Sequence, residues 1–248
     1  MKKIITSFSF ILISISLFAQ KDSSQGINGM FKKATSIFGK KSGSGIPGLS
    51  NDDIVSGLKQ ALSLGAQKSG DKLSETDGFY KDAAVKILLP QQVQDVEKKM
   101  RMLGMGKMVD NAELSMNRAA EDASKAAAPI FLDAIEKMTV TDALEILRGT
   151  DTAATGYLRK TTTSELTTAF RPVIEASLKK VDATKYWKDV FSAYNRFSSK
   201  PVDTDINIYV TAKALDGLFY YVAKEEVDIR KNPAARGTDI LKSVFGSK

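Results

Sequence analysis

Residues 205–246 read DINIYVTAKALDGLFYYVAKEEVDIRKNPAARGTDILKSVFG, and this stretch decides the fold. Ile208, Leu215, Leu218, Phe219, Val222 and Ile229 recur at helical steps, which predicts a long helix over 205–231 with those six side chains buried. It should be the longest or second-longest helix of the chain. Asn232 and Pro233 stop it, because proline cannot continue a helix. Thr238 then caps a terminal helix whose Leu241, Val244 and Phe245 fold back onto the core.

The polar residues of this stretch are candidates for chemistry. Glu225 and Glu226 are adjacent, and a carboxylate pair can do acid–base work on a glycosidic bond. Neighbours on a helix point about 100° apart, however, and Arg230 follows Glu226 at the ordinary ion-pair spacing. Asp216 and Gly217 both weaken a helix interior. Gly217 is read as the place where another helix backbone crosses closely. Asp216 is read as a buried, paired carboxylate within reach of Lys213 and Tyr220, with a role as a site residue as the alternative.

Outward from this helix, composition narrows the chemistry. The 248 residues are 43% hydrophobic and 26% charged, with only 6 prolines, so most of the chain is free to be helical. There is no cysteine and no histidine. Disulfides, thiolate metal sites, thiol nucleophiles and imidazole general bases are therefore excluded. No catalytic residue, cofactor or metal ligand is assigned. The formal charge of +7 attracts nucleic acid, anionic lipid and acidic polymers alike.

The first residues predict export. Lys2 and Lys3 precede an apolar run over 4–18, and Leu-Phe-Ala-Gln at 17–20 offers cleavage after Ala19. The run is shorter than the roughly 20 residues a membrane span needs. Removing Lys2 and Lys3 takes the side-chain charge from +7 to +5. Residues 20–48 read as a flexible basic tether. Within it, 27–41 has helical apolar spacing beside lysines, and an anionic membrane surface is its candidate partner. GSGIPG at 43–48 matches the spacing of a dinucleotide loop, but no strand precedes it and Pro47 interrupts it.

From 49 to 248 the chain reads as one all-α domain, an irregular bundle of roughly eight helices. Ser50 or Asn51 opens the first, with Ile54, Leu58, Ala61, Leu62 and Gly65 inward. AVKILL at 84–89 is the one candidate for a minor extended piece, and 91–103 is helical again. A long helix over 105–138 carries Met105, Val109, Ala112, Met116, Ala119, Ala123 and Ala126 as a close-packed seam, with Pro129 kinking it. Thr139 or Thr141 caps 142–147. A short helix over 151–160 is followed by a second opened by Ser164 and bent at Pro172. Thr184 caps another, with Trp187, Val190, Phe191 and Tyr194 on one face.

Two further polar groups qualify as candidate sites. Asn117, Arg118 and Glu121 predict a small network in which Arg118 pairs with Glu121 or Asp122 and Asn117 bonds to Glu121. Arg159 stands in a hydroxyl-rich run, 150–164, where a helix N-terminus beside Arg and Lys suits a phosphate or carboxylate. Capping by consecutive Thr and Ser is the plainer account. The candidate ligand or partner residues are thus Asp216, Lys213, Glu225, Arg230, Arg118 and Arg159.

Several phrases together resemble one family: LSNDDIVSGLKQAL at 49–62, AVKILLP at 84–90, MNRAAE at 116–121, ILRGTDTAATGYLRK at 146–160 and the whole of 209–246. They are similar to the bacterial envelope proteins grouped as domain of unknown function 4197. The resemblance implies an exported, mostly helical domain and supplies no activity or catalytic residue.

The functional expectation is a non-enzymatic binding or structural protein of the cell envelope, with a protein or envelope component as its partner. The alternative is a small-molecule or lipid carrier with a cavity among the helices. A carboxylate-dependent hydrolase ranks third. Nucleic acid is not expected as a partner, because export separates the protein from the chromosome.

Overall fold

Each helix starts where the sequence supplies a partner for its free backbone donors. The computed structural model describes residues 50–180, 187, 192, 195, 196, 201 and 205–246, all within one compact unit, 41–248. Helix α1 (Asn51–Ser74) opens on Ser50, whose hydroxyl accepts from the N–H of Asp53 while the Asp53 carboxylate accepts from the N–H of Ser50. A 3-10 turn (Gln91–Val93) leads into α2 (Gln94–Met102), then α3 (Gly106–Ser124) and α4 (Ala127–Glu136). Thr139 and Asp142 make a second reciprocal cap for α5 (Val140–Arg148). Then come α6 (Ala153–Lys179), α7 (Ile206–Lys231), a 3-10 turn (Pro233–Ala235) and α8 (Asp239–Gly246). Among the described residues the fold is all-α, an eight-helix bundle with no strand.

Helix α7 is the axis of the bundle and packs against α6, α1 and α3, while α1 also meets α4, α5 and α8. The core is aromatic at its centre. Phe79, Phe131, Phe170 and Phe219 are fully buried, and Phe131 meets Phe219 edge to face with ring centroids 5.7 Å apart. Each such ring contributes about 2–3 kcal/mol by leaving water. Leu241, Val244 and Phe245 of α8 fold back into this core, and Asn232 and Pro233 end α7 as expected.

Several of the expected details differ. Ile208 is 46% exposed, because the buried stripe of α7 runs through Ile206, Val210, Ala214 and Leu218, and Ile208 lies on the far side of it. The predicted long helix over 105–138 breaks at Lys125 and Ala126, ahead of Pro129. Pro129 is the third residue of α4, where a missing N–H forfeits no helical bond. Met105 falls outside the seam and is exposed. Residues 153–179 form one helix that runs through Pro172, not two. The hydroxyls of Thr161, Thr162, Thr163, Thr167 and Thr168 donate to carbonyls one turn back instead of capping a new start.

The 84–89 piece, the candidate for a minor extended segment, pairs with no strand: residues 86–90 are irregular and held by side chains. Of the face predicted after Thr184, Trp187 is buried. Val190, Phe191 and Tyr194 lie outside the described residues, as do the 1–19 segment and the 20–48 tether.

Candidate functional site

A non-helical segment, 75–90, would expose backbone donors that cannot be left bare inside a protein, and α3 supplies the partners. Asn117 is fully buried. Its side-chain oxygen accepts from the N–H of Ile87 at 2.8 Å and its amide donates to the carbonyl of the same residue at 2.8 Å. One turn on, Glu121 accepts from the N–H groups of Phe79 and Tyr80. Arg118 closes the latch with 2.6 Å bonds to Glu121 and to Asp77. Asp77 sits at φ 71°, a left-handed turn position that its short polar side chain tolerates. The predicted Arg118–Glu121 pair is present. Asn117 does not bond to Glu121; it reads the backbone of Ile87.

The same helix carries a second clamp. Lys86 reaches Glu113 at 3.5 Å and lies 4.5 Å from the centre of the Tyr80 ring. Burial pushes the Glu113 carboxyl above its ordinary range against the charge of Lys86. From α7, the hydroxyl of Tyr209 donates to the carbonyl of Leu88 at 2.8 Å, and burial raises Tyr209 to about 12.

This latched segment forms one lip of a cleft of about 700 Å³ between α2, α3 and the end of α6. Val93, Val96, Met100, Met108, Val109 and Leu114 make its apolar walls, with Trp187 beside them. The Trp187 ring stacks on Tyr209, centroids 6.0 Å apart. Polar groups stand at the rim: Lys107, Arg118 and Lys180 against Glu97 and Asp122, with Ser177 among them. Burial works against the Asp122 carboxylate. Bonds from Lys125 and Ser177 and the charge of Lys180 nonetheless hold it below the usual range. Helix α2 has no buried residue: Val96 is half-buried against the core and, with Met100, turns to the cleft. A mostly apolar concavity with a few polar groups at its edge suits a ligand with a hydrocarbon body, and ligand sites run from about 300 to 1,000 Å³.

Of the six candidate residues, only Arg118 lines this cleft. Asp216 is not buried. Its side chain is 61% exposed and pairs loosely with Arg159 at 3.5 Å and Lys213 at 3.9 Å. What crowds the adjacent Gly217 is the ring of Phe79, not a helix backbone: a Cβ there would sit 2.6 Å from Phe79 Cε1. Arg159 spreads over Phe219, 4.4 Å from the ring centre.

Glu225 and Glu226 go to separate partners. Glu225 meets Lys68 at 3.4 Å, whereas Glu226 and Arg230 form a buried pair, 5% and 6% exposed. Glu226 also accepts from the N–H groups of Ala154 and Thr155. The helix N-terminus suspected of holding an anion therefore does hold one, a carboxylate of the protein itself. Lys72, Asp82 and Tyr221 form a further cluster in which the tyrosine hydroxyl donates to Asp82. Burial and that bond both raise the Tyr221 hydroxyl. Among the described residues no group of three Asp or Glu is placed to hold a metal ion.

The cleft residues were missed because each reads as ordinary core lining. One signal was present: four of the eight methionines fall at 100, 102, 105 and 108. Adaptable thioether side chains at such density mark apolar surfaces that receive partners.

No curated protein and no solved structure matches the chain. The family described as "Protein of unknown function (DUF4197)" matches residues 48–246, a span that includes every element of the cleft, and the chain belongs to that family.

Proposed function

We propose that this protein is a non-enzymatic binding protein of the cell envelope, and that its cleft holds an amphiphile with an acyl or similarly apolar chain. The observation that carries the reading is the apolar cleft of about 700 Å³ beside α2, a helix with no buried residue. Leaving such a surface in water is costly, at about 25 cal/mol per Å². The N-terminal pattern of Lys2, Lys3 and the apolar 4–18 run supports export. The chain offers no imidazole or thiol for catalysis, and the adjacent Glu225 and Glu226 turn to different partners. No helix among the described residues is long and apolar enough to cross a membrane.

Native mass spectrometry of protein recovered without detergent tests it. The expected spectrum contains a population heavier than the polypeptide by the mass of one lipid-like molecule, released by organic extraction. A spectrum of bare polypeptide, together with no uptake of a free fatty acid, would contradict the reading.

A further inference from the structure

The apolar surface of the cleft does not stop at its mouth. Beyond Met100 and Met108, which line it, the chain turns through Met102 and Leu103, each 78% exposed, and Met105, 40% exposed. Gly104 makes this turn at φ 79°, a left-handed conformation that a side chain would strain. The turn is tied internally, with the N–H of Met105 donating to the carbonyl of Met100 at 2.9 Å. It is therefore a shaped projection with a hydrophobic end.

Its charge is one-sided. Residues 98–107, KKMRMLGMGK, hold four cations and no carboxylate. Arg101 is taken up by Glu97 and Asp110, and Lys98 by Asp95 at 3.6 Å. Lys99 and Lys107 have no carboxylate partner among the described residues, and they flank the exposed apolar end. Bare methionine and leucine side chains set between uncompensated lysines match the boundary of an anionic bilayer, with acyl chains beneath and phosphates above.

We propose that the turn between α2 and α3 is a membrane-docking tip, which seats the mouth of the cleft on an anionic lipid surface. The proposal rests on the amphiphile-binding reading and adds the source from which the ligand is drawn. Met102 and Leu103 enter the acyl boundary, Lys99 and Lys107 meet the headgroup phosphates, and the Met100–Met108 wall becomes continuous with the lipid.

The chain has no cysteine, so Leu103→Cys introduces a unique attachment point for an environment-sensitive fluorophore. In the chain from Gln20 onward, the label should shift to the blue with phosphatidylglycerol-containing vesicles and stay unshifted with pure phosphatidylcholine. Without a label, Met102→Ser/Leu103→Ser should weaken flotation with the anionic vesicles by roughly tenfold. Lys99→Glu/Lys107→Glu should abolish the preference for anionic lipid. An unshifted label on protein that floats would overturn the proposal and leave the contact to the 27–41 segment. A blue shift without vesicles, rising with protein concentration, would also overturn it in favour of a second copy of the chain. The Met102→Ser/Leu103→Ser variant should still take up a soluble fatty acid. If that uptake is absent in the unmutated chain too, the cleft reading fails independently of the tip.

Discussion

Glu226 on α7 holds the first turn of α6 through Thr155: one carboxylate oxygen, Oε2, accepts from both the N–H and the hydroxyl of that residue, each at 2.8 Å. The other oxygen serves Ala154 and Arg230. The two longest helices among the described residues are thereby joined by a buried charge whose bonds are satisfied. Glu226→Ala should cost about 3–5 kcal/mol in urea unfolding, because it strands the Arg230 guanidinium and two amide donors. Glu225→Ala should cost at most about 1 kcal/mol, since its pair with Lys68 lies near the surface. Equal effects would refute the distinction.

Asn117 makes a second, independent join. Asn117→Ala leaves both backbone groups of Ile87 without their partner inside the protein and should cost about 3 kcal/mol. Amide exchange should then accelerate across 84–90 while α7 stays protected.

Gly217 and Asp216 give opposite expectations from neighbouring positions. Gly217→Ala gains about 1 kcal/mol of helix propensity but drives a methyl into the Phe79 ring, an overpacking cost of about 1–3 kcal/mol, so the net change is destabilising. Asp216→Ala removes an exposed residue with poor helix propensity and should leave the melting temperature unchanged or slightly raised. A large loss at Asp216 would restore the buried-carboxylate reading.

The acid limb of stability should be set by aspartates. Burial raises Asp82, but bonds from Tyr221 and the N–H of Ala84, with the charge of Lys72, outweigh it and hold the group below its ordinary 3.8. Bonds from Thr139 lower Asp142, and bonds from Lys81 and Arg118 lower Asp77. A depressed folded-state value means the contribution is present above about 3.8 and is lost as pH falls through the folded value. Glu113 runs the other way, its contribution present below 4.5 and lost as pH rises. Melting temperature should therefore drop steeply only below about pH 4, and Asp82→Asn should flatten that drop. An identical acid limb in the variant would contradict this.

The helical periods of 51–74 and 206–231 were legible because one face of each helix packs on a single core, and Ser50 and Asn232 announced a boundary of each, as Thr139 did for α5. The merger of 153–179 was hidden because threonine hydroxyls serve equally as caps and as bonds to the preceding turn. The fate of Asp216 was hidden for a different reason. Spacing within a helix gives neighbours on that helix, whereas exposure depends on what crosses it. Glu226 and Asn117 were placed correctly on their helices, but their main partners lie 72 and 30 residues away in the chain. The shape of the cleft was hidden for the same reason, since it is a gap between elements, and only the methionines at 100–108 marked an apolar surface there.

The central claim, an apolar ligand in this cleft, can be read from a single chromophore, because Trp187 is the only tryptophan and borders the cleft. Titrating the delipidated protein with a brominated fatty acid should quench that fluorescence saturably at one equivalent. Ala112→Phe, which fills the same space, should weaken the quenching by roughly tenfold or more. Linear, unsaturable quenching that Ala112→Phe leaves unchanged would contradict the account.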